Sequence, residues 1–92
     1  MISCNQYDYI EIACMHHLSI KLILKNGDGV CGIATDTKRN ANRDECIVVN
    51  VNSELKLIVL TTISVLKAHE KNPYFDHVNF EVNASLIRFY HK

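Results

Sequence analysis

The sequence predicts a mostly β domain with one N-terminal α-helix, its strands closing into a small, bent antiparallel β-barrel. Three observations lead there. Apolar and small residues recur at helical spacing within residues 7–17, "YDYIEIACMHH". From residue 18 the period falls to two, and short apolar runs follow one another as far as residue 66, separated by turns bearing Asn, Gly or Ser. The chain has 92 residues, 48% hydrophobic and 22% charged, which is enough apolar material for one small core and too little length for two. The reading is a single domain over residues 1–92.

The helix comes first. Ile10, Ala13, Cys14 and His17 fall at i, i+3, i+4 and i+7, one face of a helix spanning 7–17. Asp8 and Glu11 are expected in its first half and His16 and His17 in its last turn, an order that complements the helix dipole.

Leu18, Ile20, Leu22 and Leu24 then alternate with Ser19, Lys21, Ile23 and Lys25, the repeat of a half-buried strand with Leu22 in the core. "NGDG", 26–29, supplies residues tolerant of positive φ and predicts a hairpin into a second strand from Val30 to about Asp36. Gly32 inside that strand suggests a bulge or a sharp bend. "TKRNANRDE", 37–45, holds no apolar residue larger than alanine and is expected to be a solvated loop.

"CIVVNV" (46–51), a turn at Asn52 and Ser53, and "ELKLIVLTTISVL" (54–66) predict three further strands, the last two divided near Thr61 and Thr62. Residues 67–80 have no steady period and read as a connector with aromatic anchors. The tail, 81–92, reads as an extra strand at a sheet edge or on a second subunit, with a short helix capped by Asn83 as the alternative.

Charge and chemistry narrow the function. Ten Lys plus Arg balance ten Asp plus Glu, so there is no global basic field to attract nucleic acid. The N-terminal residues lack a secretory pattern, and no apolar run approaches the ~18 residues of a membrane span, so a cytoplasmic protein without membrane contact is expected. In that compartment Cys4, Cys14, Cys31 and Cys46 are expected to be reduced.

No cofactor or metal is expected. The cysteines lie ten or more residues apart rather than in the close pairs of structural zinc sites, and the adjacent His16 and His17 point about 100° apart on a helix. Cys14 has His17 one turn away, but the same positions define the apolar row, so packing is preferred to nucleophilic catalysis and no enzyme is predicted. Asp8 and Glu11, also one turn apart, read as solvated carboxylates rather than an acid–base pair. Lys38, Arg39 and Arg43, with Asn40 and Asn42 between them, form the one local basic cluster; acidic neighbours flank it, and no aromatic residue is interleaved for base stacking.

The run Tyr7, Asp8, Glu11, Ala13, Cys14, His16 and His17, followed by alternating leucines and a glycine turn, resembles the start of the Rho-binding antiterminator (Rof) family. "ATD" (34–36), "ECIVV" (45–49) and "ELKL" (54–57) extend the resemblance, which covers roughly residues 4–66. It implies a small Sm-like barrel. It also implies an inhibitor of transcription termination that binds the N-terminal RNA-binding region of the hexameric terminator Rho and obstructs its primary RNA site. On that reading Asn5, Gln6, Tyr7, Asp8 and Glu11 form the partner-binding face, with Lys38, Arg39, Asn42 and Arg43 as a second contact. No direct nucleic-acid binding is expected; the alternative is an Sm-like protein that binds RNA through its basic loop. A monomer is expected, with the C-terminal tail as the alternative route to a dimer.

Overall fold

The computed structural model describes residues 4–80, so the expectation for the tail, 81–92, lies outside the described residues. One helix, α1 (Cys4–Met15), precedes the strands β1 (Ser19–Leu24), β2 (Gly29–Arg39), β3 (Glu45–Val51) and β4 (Glu54–Val59). A 3-10 turn, Leu60–Thr62, leads to β5 (Ile63–Ala68) and then β6 (His77–Asn79). All pairings are antiparallel, in the order β4-β3-β2-β1-β5-β6. The mostly β architecture with an N-terminal helix is the one expected. The barrel, however, is not closed: β4 and β6 remain as edges of a six-stranded sheet.

The helix starts earlier and stops sooner than 7–17. Its last turn closes as a Schellman motif, with Leu18 N–H donating to the Ala13 carbonyl (2.9 Å) and His17 N–H to the Cys14 carbonyl (3.2 Å). His17 takes the left-handed position (φ 49°) and is exposed, so it ends the helix instead of joining the buried row. Because α1 begins at Cys4, its first turn carries no acid and its last turn no base, and the expected match of charges to the dipole is not found.

Two turns follow local chemistry closely. In the β1–β2 hairpin Gly27 has φ 97°, the Asn26 side-chain carbonyl accepts from Asp28 N–H (2.9 Å), and Leu24 N–H donates to the Asp28 carbonyl (2.8 Å). Asn52 and Ser53 both adopt positive φ (53° and 71°), the twist-matched geometry of a two-residue β3–β4 turn.

Of the bulge or sharp bend expected at Gly32, the bulge is not at that residue. The register slips nearby at Thr35, between the pairs Ala34–Val49 and Asp36–Val48, and again at Ser64 between β1 and β5. At Gly32 itself an added Cβ would press on the Asn50 carbonyl and come within 2.7 Å of the Val49 side chain. Glycine is required there because the bent sheet brings the β3 backbone against β2.

The core lies between the concave side of the sheet and the helix. Ile10, Ala13 and Cys14 from α1 meet Ile20, Leu22, Ala34, Ile47, Val49, Leu60, Ile63, Leu66 and Phe80. The connector expected over 67–80 is partly sheet: β5 runs to Ala68, and β6 pairs with it at Val65, Leu66 and Lys67. Its aromatic anchors pack against the helix and the turn that follows it. Tyr74 stacks on His16 with ring centroids 4.4 Å apart, and Phe75 meets Tyr9 edge to face at 5.7 Å.

Candidate functional site

Asn5, Asp8 and Glu11 are exposed on α1, whereas Gln6, Ile10, Ala13 and Cys14 are buried. The packing of the second set against the sheet orients the first set outward. Gln6, expected on the outer face, is only 6% exposed, and its side-chain amide donates to the Asn79 carbonyl at 3.2 Å. Its position on the inner side of the first helical turn makes it a tie between the helix and β6.

The expected loop at 37–45 is largely β structure. β2 continues through Thr37, Lys38 and Arg39, β3 starts at Glu45, and only 40–44 turn. Asn40 organises that turn: its side-chain oxygen accepts from the N–H groups of Asn42 and Asp44, both at 2.9 Å. Its own N–H donates to the Asp44 carbonyl at 3.0 Å, while Arg43 adopts φ 67°. Arg39 Nη1 donates to the Arg43 carbonyl (3.1 Å), which draws this guanidinium along the turn. The basic cluster therefore sits on an ordered hairpin end.

That hairpin end comes against the helix. Tyr7, half-buried, shares a groove of about 210 Å³ with Thr37, Lys38, Arg39, Glu45 and Cys46. Tyr7 of the helix thus meets two cations some thirty positions further along the chain, while the exposed carboxylates of Asp8 and Glu11 lie on the same helix outside the groove lining. Asn42 and Arg43 are exposed at the tip of the hairpin. Among the described residues neither Lys38 nor Arg39 has a carboxylate in ion-pair reach, although Glu45 lies opposite Arg39 in the β2–β3 register. Sequence reasoning missed Thr37, Glu45 and Cys46 as groove residues; extending the β2–β3 pairing past Asp36 is what aligns them.

Cys14 and Cys46 are buried thiols set for packing, whereas Cys31 is exposed. Burial pushes the Cys14 thiol up to about 11, and the nearby carboxylates of Asp36 and Glu11 add to the rise. Cys46 is likewise raised by burial and by Asp44, against a hydrogen bond from the Asn40 backbone that lowers it. A nucleophilic cysteine needs the opposite shift. Among the described residues no group of three His, Cys, Asp or Glu side chains is arranged to hold a metal ion, and no helix is long and apolar enough to cross a membrane.

The family model described as modulator of Rho-dependent transcription termination (ROF) matches residues 1–80. The chain belongs to the Rof family. Protein rof of Escherichia coli (strain K12) is 35% identical over 65 residues, covering 68% of this chain and 77% of the relative, and protein rof of Shigella flexneri aligns with the same figures. Among solved structures, YaeO bound to magnesium, from Vibrio cholerae O395, superimposes with a TM-score of 0.78 at 40% identity, covering 82% of this chain and 97% of that one. Rof proteins are modulators of Rho-dependent termination, a regulatory role. The helix, the groove and the β2–β3 hairpin all lie within the residues that the family model matches.

Proposed function

We propose that this Rof-family chain inhibits termination as a non-enzymatic, cytoplasmic protein that binds the N-terminal RNA-binding region of Rho and occupies its primary RNA site. The observation that carries the reading is the exposed pair Asp8 and Glu11 on one side of α1, beside the half-buried Tyr7. A surface that binds single-stranded RNA offers cations for phosphates and platforms for bases, so a protein competitor needs carboxylates and an aromatic anchor in proximity. Asp8 and Glu11 supply the charge and Tyr7 the anchor. Asn5 extends this face, and Lys38, Arg39, Asn42 and Arg43 form a second contact with acidic or carbonyl groups of the partner. Gln6, turned inward, holds the helix in place and leaves the contact set.

A competition titration tests the proposal. Labelled pyrimidine-rich RNA is bound to the cognate Rho, the chain is added, and a parallel control omits Rho. Displacement of RNA from Rho, with no binding in the control, is the expected result. RNA that stays on Rho at saturating chain overturns the reading. RNA that moves onto the chain itself, with a steep dependence on salt from counterion release, replaces it with an Sm-like RNA binder acting through Lys38, Arg39 and Arg43.

A further inference from the structure

The two edges of the sheet differ in what covers them. On the β5 side, β6 pairs with Val65, Leu66 and Lys67, so that edge is occupied from within the chain. On the other side β4 is the last strand, and the backbone groups it turns away from β3 have no strand beside them among the described residues. Exposed edges of this kind are normally blunted by charge, proline or a bulge, and of these β4 carries only charge, the opposite pair Glu54 and Lys56. β4 has no proline, keeps regular register with β3 from Val51–Glu54 to Cys46–Val59, and exposes two large apolar side chains, Leu55 (62%) and Leu57 (41%).

Ile33 of β2, 39% exposed, lies in the same cross-strand row through Asn50. The apolar residues therefore form a short patch continuous with an open edge. The other side of β4 carries Glu54 and Lys56, exposed and 3.7 Å apart. Their alternation with the leucines makes the strand self-complementary. If a second β4 runs antiparallel with Leu55 opposite the partner's Leu55, Glu54 faces the partner's Lys56 and Lys56 faces the partner's Glu54. A shift of two in the sum of paired positions places Lys56 against the partner's Lys56, so charge favours the first register over that one.

We infer that β4 is a homodimerisation edge, joining two copies across a two-fold axis through Leu55, Leu57, Glu54 and Lys56. The alternative open-ended assembly, β4 of one copy on β5 of the next, is blocked because β6 already holds β5. β6 also has an open outer edge, but it is three residues long against six in β4, and closed isologous pairing of β4 is the mode that its own charges complement. The inference departs from the monomer expected from the sequence and does not depend on the Rho reading. The candidate interface is also distinct from the helix and groove: none of its four residues lines the groove beside Tyr7.

The test is sedimentation of the full chain, without Rho, over a concentration series. Wild type is expected to show a reversible monomer–dimer equilibrium. Glu54→Lys and Lys56→Glu each replace two attractive cross-strand pairs with repulsive ones and are expected to raise the dissociation constant about tenfold or more. Because both sites are exposed, their melting temperatures should match wild type. Mixing the two variants restores opposite charges at both pairs, so a heterodimer is expected to reappear. A wild type that remains monomeric throughout, single variants that dimerise as wild type does, or a mixture that stays monomeric overturns the inference. A dimer built by the tail would ignore all three charge combinations and count against it.

Discussion

The two sides of α1 lie a few positions apart in the sequence and in opposite environments. On the inner side Gln6, Ile10, Ala13 and Cys14 are buried, with Ile10 and Ala13 fully so; on the outer side Asn5, Asp8 and Glu11 are exposed. Even the polar residues divide, since Gln6 reaches β6 while its neighbour Asn5 faces solvent. With the proposed contact face on the outer side, stability and recognition fall on opposite sides of one helix. Substitutions on the buried side should move unfolding, and substitutions on the exposed side should move binding.

The largest effect expected from breaking that separation is in the core that the inner side rests on. Leu22 is fully buried between its cross-strand neighbours Val30 and Leu66. Leu22→Ala is expected to destabilise the chain by about 2–5 kcal/mol, read as a lower urea midpoint at unchanged slope. An unchanged midpoint would remove Leu22 from the core.

The exposed side should behave in the opposite way. Asp8→Ala is expected to weaken Rho binding by about 1–3 kcal/mol, the range for hydrogen bonds to charged groups, with a melting temperature close to wild type. A large fall in melting temperature would assign Asp8 to the scaffold instead.

The smallest effect comes from Cys14, at the boundary between the two sides. Burial, with Asp36 and Glu11 nearby, raises its thiol from the ordinary 9.0 to about 11, so the folded chain holds this proton more tightly than the unfolded chain does. The resulting stability is complete below the ordinary thiol value and is lost as pH rises from there towards about 11. Unfolding midpoints of wild type and Cys14→Ala should therefore converge across that alkaline window. Parallel curves would show that the thiol does not titrate differently on folding.

Particular elements show how far the sequence could be read. The alternation from Leu18 to Leu24 identified β1, the Asn-Gly pair identified its hairpin, and Thr61 and Thr62 marked the break between β4 and β5. The helix was legible in type, but its ends were not. A seven-residue spacing ending at His17 looked like one continuous face until the left-handed conformation at that residue closed the helix. Residues 37–39 are polar and resemble loop in isolation, yet they extend β2 because β3 offers their backbone a partner. The three residues of β6 were invisible for the same reason, since so short a strand is defined by its pairing with β5.

Of the candidate site, Asp8 and Glu11 were read as solvated from their positions on the helix and are exposed, whereas Asn5, also exposed, entered the face only through the family resemblance. The inward turn of Gln6 was not legible, because its burial depends on a carbonyl of Asn79, far along the chain. Nor could the groove be foreseen as a unit: Tyr7 meets Lys38 and Arg39 only after the bent sheet carries the hairpin end back to the helix.

The order of elements, the hairpin turns, the core strand β1 and the outward carboxylates are encoded locally, because hydrophobic period and turn chemistry act over a few residues. The tertiary structure decided the open sheet, the extension of β2, the addition of β6, the inward amide of Gln6 and the groove at Tyr7. Each of these depends on hydrogen bonds or packing between segments distant in sequence, and a β-strand's backbone groups are satisfied only when another strand lies beside it.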